Sequence, residues 1–214
     1  ILKGELEAIQ DGIRKPTPDA INSLQNEVTS LTRLVDDLYQ LALSDVGALR
    51  YQFREFDIAE SVEQTCLAFS ERLQEHGLTL RTQLPEHAVD LEGDEKRLQQ
   101  LVGNLLENSV RYTDAGGVVE VKLSVHGEMI WLDIQDTAPS VAPADLPRLF
   151  ERLYRVEASR NRATGGAGLG LPLCQTIVEA HGGTIAACNR PEGGACISFT
   201  LPRGTPPELE EESV

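Results

Sequence analysis

The hydrophobic residues near the start of the chain repeat in alternating steps of three and four. The repeat comprises Ile21, Leu24, Val28, Leu31, Val35, Leu38 and Ala42. Such spacing places these side chains on one side of a helix and is typical of a coiled-coil seam. Thr17 and Pro18 predict the N-cap and the first residue of this helix, which makes residues 15–17 the turn after an earlier helix over 1–14. The pattern therefore predicts a helical hairpin over residues 1–46.

One hydrophobic seam requires a second surface to bury it. Two helices alone have too little surface for this, whereas two hairpins from a dimer form a four-helix bundle. The alternative is a helix–helix core within a single chain. A homodimer is the expectation that the pattern favours.

Beyond residue 46 the pattern changes to short strands that alternate with helices. Residues 47–56 predict a linker, and Asp57 predicts the cap of a helix over 58–76 that stops at Gly77. Strands are expected over 78–84, 88–92, 118–126, 129–135, 184–189 and 195–201, and helices over 95–112 and 172–181. These elements give a mixed sheet covered on one face by helices, an α/β sandwich over 57–203. The fold class is thus α+β, and residues 204–214 read as a disordered acidic tail.

Composition narrows the range of functions. The chain has 34 acidic and 19 basic residues and a net charge of −15, which argues against a nucleic-acid partner. No apolar run approaches the length of a membrane span, and no signal peptide is present. The cysteines have no metal-ligand spacing and are expected to be small buried hydrophobes in a reducing cytoplasm. They are Cys66, Cys174, Cys188 and Cys196.

A glycine-rich segment, residues 165–171, runs directly into the last predicted helix. It reads Gly165-Gly166-Ala167-Gly168-Leu169-Gly170-Leu171. Glycines let consecutive N–H groups approach an anion, and a helix that begins there directs its positive dipole end at the same anion. Alone, such a cluster is more often a flexible surface loop.

A group of polar residues lies on the helix predicted over 95–112. Asn104 and Asn108 are four residues apart and Arg111 lies three residues further, so that all three share one helical face. Two carboxamide oxygens and one cation on one face suit a metal-bound triphosphate. Together with the glycine-rich segment, this face predicts a nucleotide-phosphate site.

These two segments and two further motifs resemble the catalytic core of a bacterial sensor histidine kinase. The further motifs are Asp136-Thr137-Ala138-Pro139-Ser140 and Leu149-Phe150-Glu151-Arg152-Leu153-Tyr154-Arg155, in the order that the family has them. The resemblance covers nearly the whole chain, and residues 4–12 and 35–38 are most similar to envelope-stress members. It implies the cytoplasmic portion of an inner-membrane protein whose membrane segments lie outside this sequence.

The resemblance implies that ATP lies between the asparagine helix and the glycine-rich segment. Asp136, at the end of an apolar strand, would accept a hydrogen bond from the adenine amino group. Asn108, with Asn104 beside it, would hold Mg²⁺ directly or through water. The other expected nucleotide contacts are Arg111, Tyr112, Arg155, Gly166, Gly168, Leu169 and Gly170. Catalytic roles would belong to Asn104, Asn108, Arg111 and Arg155.

A triphosphate also needs local positive charge in this acidic chain. The candidates are Arg111, Arg152, Arg155, Arg160 and Arg162. For Arg160 and Arg162, a solvated surface charge is an equally good interpretation. For Tyr112, packing in the core is nearly as good an interpretation as packing beside the sugar.

Asn104 separates histidine kinases from related ATPases. Gyrase-type and mismatch-repair ATPases carry a Glu at its position to activate water, and an amide cannot act as that base. Glu107 does not replace it, because one residue of helix turns it about 100° away from Asn108 and the metal face. Ala138 and Ser140 stand where the family usually has glycines, which leaves the geometry of that turn open.

The implied reaction passes the γ-phosphoryl group of ATP to a histidine in a His-Glu-Leu-Arg-Thr-Pro segment, and then to an aspartate of a response regulator. This sequence is expected to begin about two turns beyond that segment. Its own histidines, His76, His87, His126 and His181, lack the context, and His181 is expected to be a structural cap. Three alternatives remain: a gyrase-type ATPase, an anti-sigma-factor-type serine kinase, and a catalytically silent nucleotide-binding and dimerisation module.

Overall fold

The computed structural model describes residues 2–13, 15–156 and 166–204. Two helices, α1 (Leu2–Gln10) and α2 (Pro18–Asp45), form the first part. The Thr17 cap is confirmed, because Thr17 Oγ1 accepts a hydrogen bond from Ala20 N at 3.3 Å. Helix α1 is shorter than the predicted helix over 1–14, since the chain turns at Gly12, where φ is +70°. None of the described helices has the length and apolar character of a membrane-crossing segment.

The second part of the described chain contains three further helices and seven strands. The helices are α3 (Ile58–Glu75), α4 (Glu95–Tyr112) and α5 (Gly170–Ala180), with a 3-10 turn at Leu146–Phe150. The strands are β1 (Arg54–Asp57), β2 (Thr79–Gln83), β3 (Asp90–Gly93), β4 (Val118–His126), β5 (Met129–Asp136), β6 (Thr184–Asn189) and β7 (Ala195–Pro202). The caps at Asp57 and Asp94 are confirmed, because they accept hydrogen bonds from Ala59 N at 2.9 Å and Arg97 N at 3.2 Å.

Five strands form the mixed sheet that the sequence predicts. Their order is β2-β4-β5-β7-β6, in which β2 pairs with β4 in parallel and all other neighbours are antiparallel. A separate two-stranded sheet of β1 and β3 was not predicted. Strand β1 begins inside the segment expected to be a linker, and α5 begins at Gly170, two residues before the predicted start.

The hydrophobic core lies between α3, α4 and α5 and one face of the five-stranded sheet. Ile130 and Leu132 of β5 are fully buried, whereas Trp131 between them is 43% exposed on the other face. Leu101 and Leu105 of α4 are buried in the same core. This alternation puts the even-numbered residues of β5, Asp136 among them, on the face that packs against the helices.

Helix α2 lies against α4 and α5 with one side and exposes its hydrophobic seam on the other. Leu41 is 1% exposed on the packed side. The large seam residues Ile21, Val28, Leu31, Val35 and Leu38 are all at least 44% exposed. Helix α1 therefore does not cover the seam, which leaves it as an uncovered apolar surface of the described chain.

Several sequence expectations fall on residues outside the described part. These are the disordered acidic tail from residue 205 onward, the phosphate roles of Arg160 and Arg162, and the first glycine of the glycine-rich segment, Gly165.

Candidate nucleotide site

Asp136 is the centre of a preformed hydrogen-bond network at the end of β5. Its Oδ2 accepts a hydrogen bond from Ser109 Oγ at 3.0 Å, and its Oδ1 accepts from Ala138 N at 3.2 Å and Ala195 N at 3.4 Å. Burial raises the pKa of the Asp136 carboxyl, although these hydrogen bonds act in the opposite direction. The carboxylate is therefore a fixed and partly desolvated acceptor, as an adenine amino group requires.

The turn after Asp136 does not need the glycines that the resemblance led us to expect at residues 138 and 140. Leu153 is the only non-glycine residue with positive φ in the described chain, so Ala138 and Ser140 occupy ordinary backbone conformations. The glycine that comes close to the Asp136 backbone lies in the β6–β7 turn, across the sheet. Gly194 has φ +104°, and a Cβ there would lie 2.0 Å from Asp136 O. The β6–β7 turn is thus pressed against the backbone of Asp136.

Ser109 joins the asparagine helix to this network, and sequence analysis assigned it no role. Its side chain is buried, and its hydroxyl reaches across from α4 to Asp136. The signal in the sequence is its position, directly after Asn108 on the helix that carries the other polar site residues. A small polar residue on the buried side of a helix needs a hydrogen-bond partner.

Asn108 is the predicted metal ligand whose side chain is uncommitted. It is half-buried on α4, and no described residue makes a hydrogen bond with its carboxamide. Its neighbours along the helix, Ser109 and Arg111, are both engaged. The Asn108 oxygen is therefore available to a ligand from outside the chain.

Arg111 lies where α4 meets the glycine-rich segment. A Cβ built on Gly166 would lie 2.0 Å from Arg111 Nη1, so a side chain at this position would displace the guanidinium from where it now lies. The same guanidinium lies 3.2 Å from Glu107 Oε1, one turn earlier on α4. The last turn of α4 and the start of the glycine-rich segment therefore border the same space.

Gly168 holds the glycine-rich segment against residues 153–155. Leu153 N donates a hydrogen bond to Gly168 O at 2.9 Å, and a Cβ on Gly168 would lie 2.6 Å from Tyr154 O. Gly168 also has φ +74°, which favours glycine. Helix α5 begins just afterwards at Gly170, and no side chain caps it at Leu169. Its first N–H groups suit an anion.

Asn104 makes a contact that sequence analysis did not foresee. Its side chain is buried, and its Oδ1 accepts a hydrogen bond from Arg33 of α2. Its Nδ2 has no partner in the described structure. Because the oxygen that would bind a metal is already taken by a guanidinium, a direct Asn104–metal bond requires Arg33 to withdraw. The structure does not bring Asn104 to the site in the same way as Asn108.

Glu107 is committed to ion pairs and is not available as a base. It is buried, with Arg72 Nη1 at 2.5 Å, Arg111 Nη2 at 3.2 Å and Arg33 Nη1 at 3.8 Å. Several guanidinium groups around one buried carboxylate hold it in ion pairs and restrain its position. This agrees with the expectation that Glu107 does not activate water.

Of the other predicted site residues, Arg155 and Tyr112 lie near the site, whereas Arg152 points to the helical hairpin. Arg155 and Tyr112 are half-buried beside the segments already described. Arg152 is exposed, and its Nη1 pairs with Asp45 Oδ2 at the end of α2, at 2.5 Å. The expectation that Arg152 adds phosphate charge is therefore corrected, because its guanidinium binds a carboxylate of the hairpin.

His181 is a structural residue, as expected. It is buried, its Nδ1 lies 2.7 Å from Ile177 O, and its Nε2 accepts a hydrogen bond from Asp94 N at 3.0 Å. Burial lowers the pKa of this imidazole. Both ring nitrogens are used in holding α5 to the N-terminus of α4, so His181 is not a nucleophile.

A family model that describes histidine kinase-, DNA gyrase B- and HSP90-like ATPases matches residues 93–205. This match includes α4, the Asp136 turn and the glycine-rich segment. The chain belongs to this ATPase family. Membership in the histidine kinase, gyrase and HSP90 family implies that the chain binds ATP, in agreement with the geometry of the site.

Within this ATPase family, the similar proteins are sensor histidine kinases. The chain is 51% identical to the signal transduction histidine-protein kinase BaeS of Escherichia coli K12, over 94% of the chain and 43% of BaeS. It therefore spans less than half the length of that relative. The expected resemblance to sensor histidine kinases is confirmed.

Two solved histidine kinase structures share the fold of this chain. Acinetobacter baumannii AdeS matches with a TM-score of 0.79 and 29% identity, over 95% of this chain and 94% of AdeS. Full-length ShkA in complex with AMPPNP matches with a TM-score of 0.72 and 28% identity, over 90% of this chain and 40% of ShkA. Both matches extend beyond the ATPase domain into the helical hairpin, which confirms the predicted α+β architecture.

Proposed function

We propose that this chain is the ATP-binding and dimerisation portion of a BaeS-like sensor histidine kinase. The full protein would transfer the γ-phosphoryl group of Mg-ATP to a histidine, and then to an aspartate of a response regulator in envelope-stress signalling. The identity to BaeS supports this assignment. The observation that carries the proposal is the last turn of α4. The uncommitted Asn108 is followed there by Ser109, which is bound to Asp136, and by Arg111, which lies against Gly166.

This arrangement predicts how the nucleotide would be oriented in the site. Asp136 is a buried acceptor and suits the adenine amino group, whereas Arg111 and the uncapped start of α5 provide positive charge and N–H donors. Adenine would therefore bind at the end of β5 and the phosphates between the last turn of α4 and the glycine-rich segment. Gly166 and Gly168 let the glycine-rich segment come close to Arg111 and to the backbone of Tyr154 at the edge of this second space.

Asn108 is the proposed Mg²⁺ ligand of the site. Mg²⁺ prefers oxygen ligands, keeps several of its waters and is usually held by one or two protein groups together with phosphate oxygens. A half-buried carboxamide with no described hydrogen bond fits that requirement. When bound, the ion would neutralise the charge that develops on the phosphate oxygens.

The residues of α4 also explain why ATP would be transferred and not hydrolysed. Asn104 has an amide where a water-activating carboxylate would be needed, and Glu107 is held by Arg72 and Arg111. Neither residue can take a proton from water in this arrangement. The γ-phosphoryl group would therefore remain in place until a protein nucleophile arrives.

The exposed seam of α2 is the proposed homodimer surface. Five large apolar side chains at coiled-coil spacing are uncovered in the single chain. A second hairpin would bury them in a four-helix bundle. This bundle would also place the acceptor histidine of one or the other hairpin near a nucleotide site.

Calorimetry with and without Mg²⁺ tests the proposed site. The 214-residue chain should bind ATP, the affinity should rise when Mg²⁺ is added, and GTP should bind at least about tenfold more weakly, because guanine presents an acceptor to Asp136. Equal affinity for ATP and GTP would remove Asp136 from base recognition. An ATP affinity that does not respond to Mg²⁺ would contradict the proposed metal role.

A further inference from the structure

Two cysteines lie directly opposite each other in the five-stranded sheet. Cys188 of β6 and Cys196 of β7 are paired residues of an antiparallel ladder. Paired residues in such a ladder point to the same face, with Cα atoms about 4.5–5.5 Å apart. A disulfide bridges Cα atoms about 4.4–6.8 Å apart. The sheet therefore already holds the two thiols at a separation that a disulfide can span.

One thiol of this pair is accessible and the other is sheltered. Cys188 is exposed, which corrects the expectation that all four cysteines are buried, and Cys196 is 6% exposed. Burial raises the pKa of the Cys196 thiol to about 11, against a hydrogen bond with Ser198 and with a further contribution from Cys188. A reagent in solution would therefore reach Cys188 first, and Cys196 would act second.

The pair also lies beside the proposed adenine pocket. Ala195, the residue before Cys196, donates the 3.4 Å hydrogen bond to Asp136 Oδ1. Gly194, one residue further, is pressed against Asp136 O. Across the sheet, Cys196 is paired with Gln135, the residue before Asp136. A shift of the backbone at Cys196 would therefore reach Asp136 both through the residues before it, Gly194 and Ala195, and through its pairing with Gln135 of β5.

We propose that Cys188 and Cys196 form a reversible disulfide that weakens nucleotide binding at Asp136. The disulfide itself depends only on the sheet, whereas its effect on nucleotide rests on the proposed function. The oxidant is a low-molecular-weight disulfide. The Cys188 thiolate attacks one of its sulfurs, forms a mixed disulfide and expels one thiolate. The Cys196 thiolate then attacks Cys188 Sγ and expels the second, so that two protein thiols become one disulfide and the reagent is reduced to two thiols.

The geometry of a disulfide explains why closing this bond would weaken nucleotide binding and not strengthen it. Bonded cysteines have Cβ atoms about 3.8 Å apart, which is closer than the roughly 4.5–5.5 Å of paired strand residues. Closing the bond would draw Cys196 toward β6 and away from β5. The Ala195–Asp136 hydrogen bond is already long at 3.4 Å, so a small displacement would break it. The Asp136 carboxylate would then lose one of the donors that hold it in position.

The experiment combines mass measurement with nucleotide binding on the 214-residue chain. The folded chain is incubated with oxidised glutathione, alkylated and digested, and a peptide that links Cys188 to Cys196 is expected. Its rate of formation should rise with pH toward about 11, because the Cys196 thiolate completes the bond. ATP affinity should fall at least about threefold on oxidation and recover with a reducing agent.

Two variants separate the disulfide from other effects of oxidation. Cys188→Ser and Cys196→Ser should each retain the ATP affinity of the reduced parent and lose the response to oxidised glutathione. A glutathione adduct on Cys188 without the cross-link would overturn the disulfide, and a complete cross-link with unchanged ATP affinity would overturn its link to the site. If the reduced chain binds no ATP, the proposed function and the nucleotide effect fall together, while the mass measurement still decides the disulfide.

Discussion

Ser109 Oγ on α4 lies 3.0 Å from Asp136 Oδ2 at the end of β5 and donates a hydrogen bond to it. This contact connects the helix that carries Asn108 to the strand end that would bind adenine. The two proposed halves of the nucleotide site are therefore mechanically linked, because Asn108 and Ser109 are neighbours on one rigid helix. A change at either Asp136 or Asn108 should alter nucleotide binding without disturbing the rest of the core.

Asp136→Asn should reduce ATP affinity about tenfold, equivalent to about 1.4 kcal/mol, and leave the thermal midpoint unchanged or higher. The Asn oxygen can still accept from Ala138 N and Ala195 N, and its amide can donate to Ser109 Oγ. The adenine amino group would then meet a donor. Stability is retained because burial raises the Asp136 pKa, which means that the charged carboxyl costs free energy in the folded state.

Asp133→Asn provides the matched control for this substitution. It makes the same chemical change three residues earlier on β5, on the face away from the helices. Calorimetry measures the ATP affinity of both variants, and thermal denaturation measures their stability. Equal ATP affinity for Asp136→Asn and the parent would exclude the proposed adenine contact.

Asn108→Ala should lower the Mg²⁺-dependent ATP affinity at least about tenfold, or about 1.4 kcal/mol, because the metal loses its protein ligand. In the presence of a chelator, the variant and the parent should bind ATP equally. Gln100→Ala, on the same helix and away from Asn108, should behave as the parent in both conditions. An Asn108→Ala variant that keeps its full response to Mg²⁺ would remove this residue from the metal site.

Leu31→Asp should convert a dimeric chain to a monomer and spare ATP binding. Leu31 is 58% exposed on the seam, and a dimer would bury a charged carboxylate at this position without a partner, at a cost of several kcal/mol. Ser30→Asp introduces the same charge one residue away and off the seam, and should remain dimeric. Sedimentation equilibrium measures the oligomeric state of both variants and of the parent. A monomeric parent chain would contradict the proposed four-helix bundle.

His181 should make stability decline as the pH falls. Because burial lowers its pKa in the folded state, the unfolded chain takes up a proton below about pH 6.5 while the folded chain does not. The free energy of unfolding should therefore decrease from about pH 7 to pH 5, with part of this slope absent in His181→Gln. Urea titrations at several pH values measure the slope, and His76→Gln at an exposed helix end is the control. An identical slope for His181→Gln and the parent would contradict this role.

Local signals in the sequence predicted the elements that local interactions stabilise. The seam of α2 follows from the spacing of its hydrophobic side chains. The caps at Thr17, Asp57 and Asp94 are each a hydrogen bond between residues two or three apart. The hairpin strands β4 and β5 likewise join neighbouring segments. Each of these features needs only a short window of sequence.

The features that were missed depend on residues far apart in the chain. Strand β1 has four residues, too few to show an alternating pattern, and it forms because Arg54–Asp57 pairs with Asp90–Gly93 of β3, a strand that the sequence did predict. The Arg33–Asn104 contact joins residues that are 71 positions apart. The pairing of Cys188 with Cys196 depends on the register of β6 and β7. Such contacts follow from the assembled fold.

The most direct test of the proposed kinase is transfer of labelled γ-phosphate from ATP. The 214-residue chain should remain unlabelled, because none of its four histidines lies in the acceptor context. A chain extended upstream of residue 1 by the His-Glu-Leu-Arg-Thr-Pro segment should gain a label that is labile in acid and stable in base, and Asn108→Ala should remove it. An extended chain that binds Mg-ATP and stays unlabelled would contradict the kinase and favour the silent binding module.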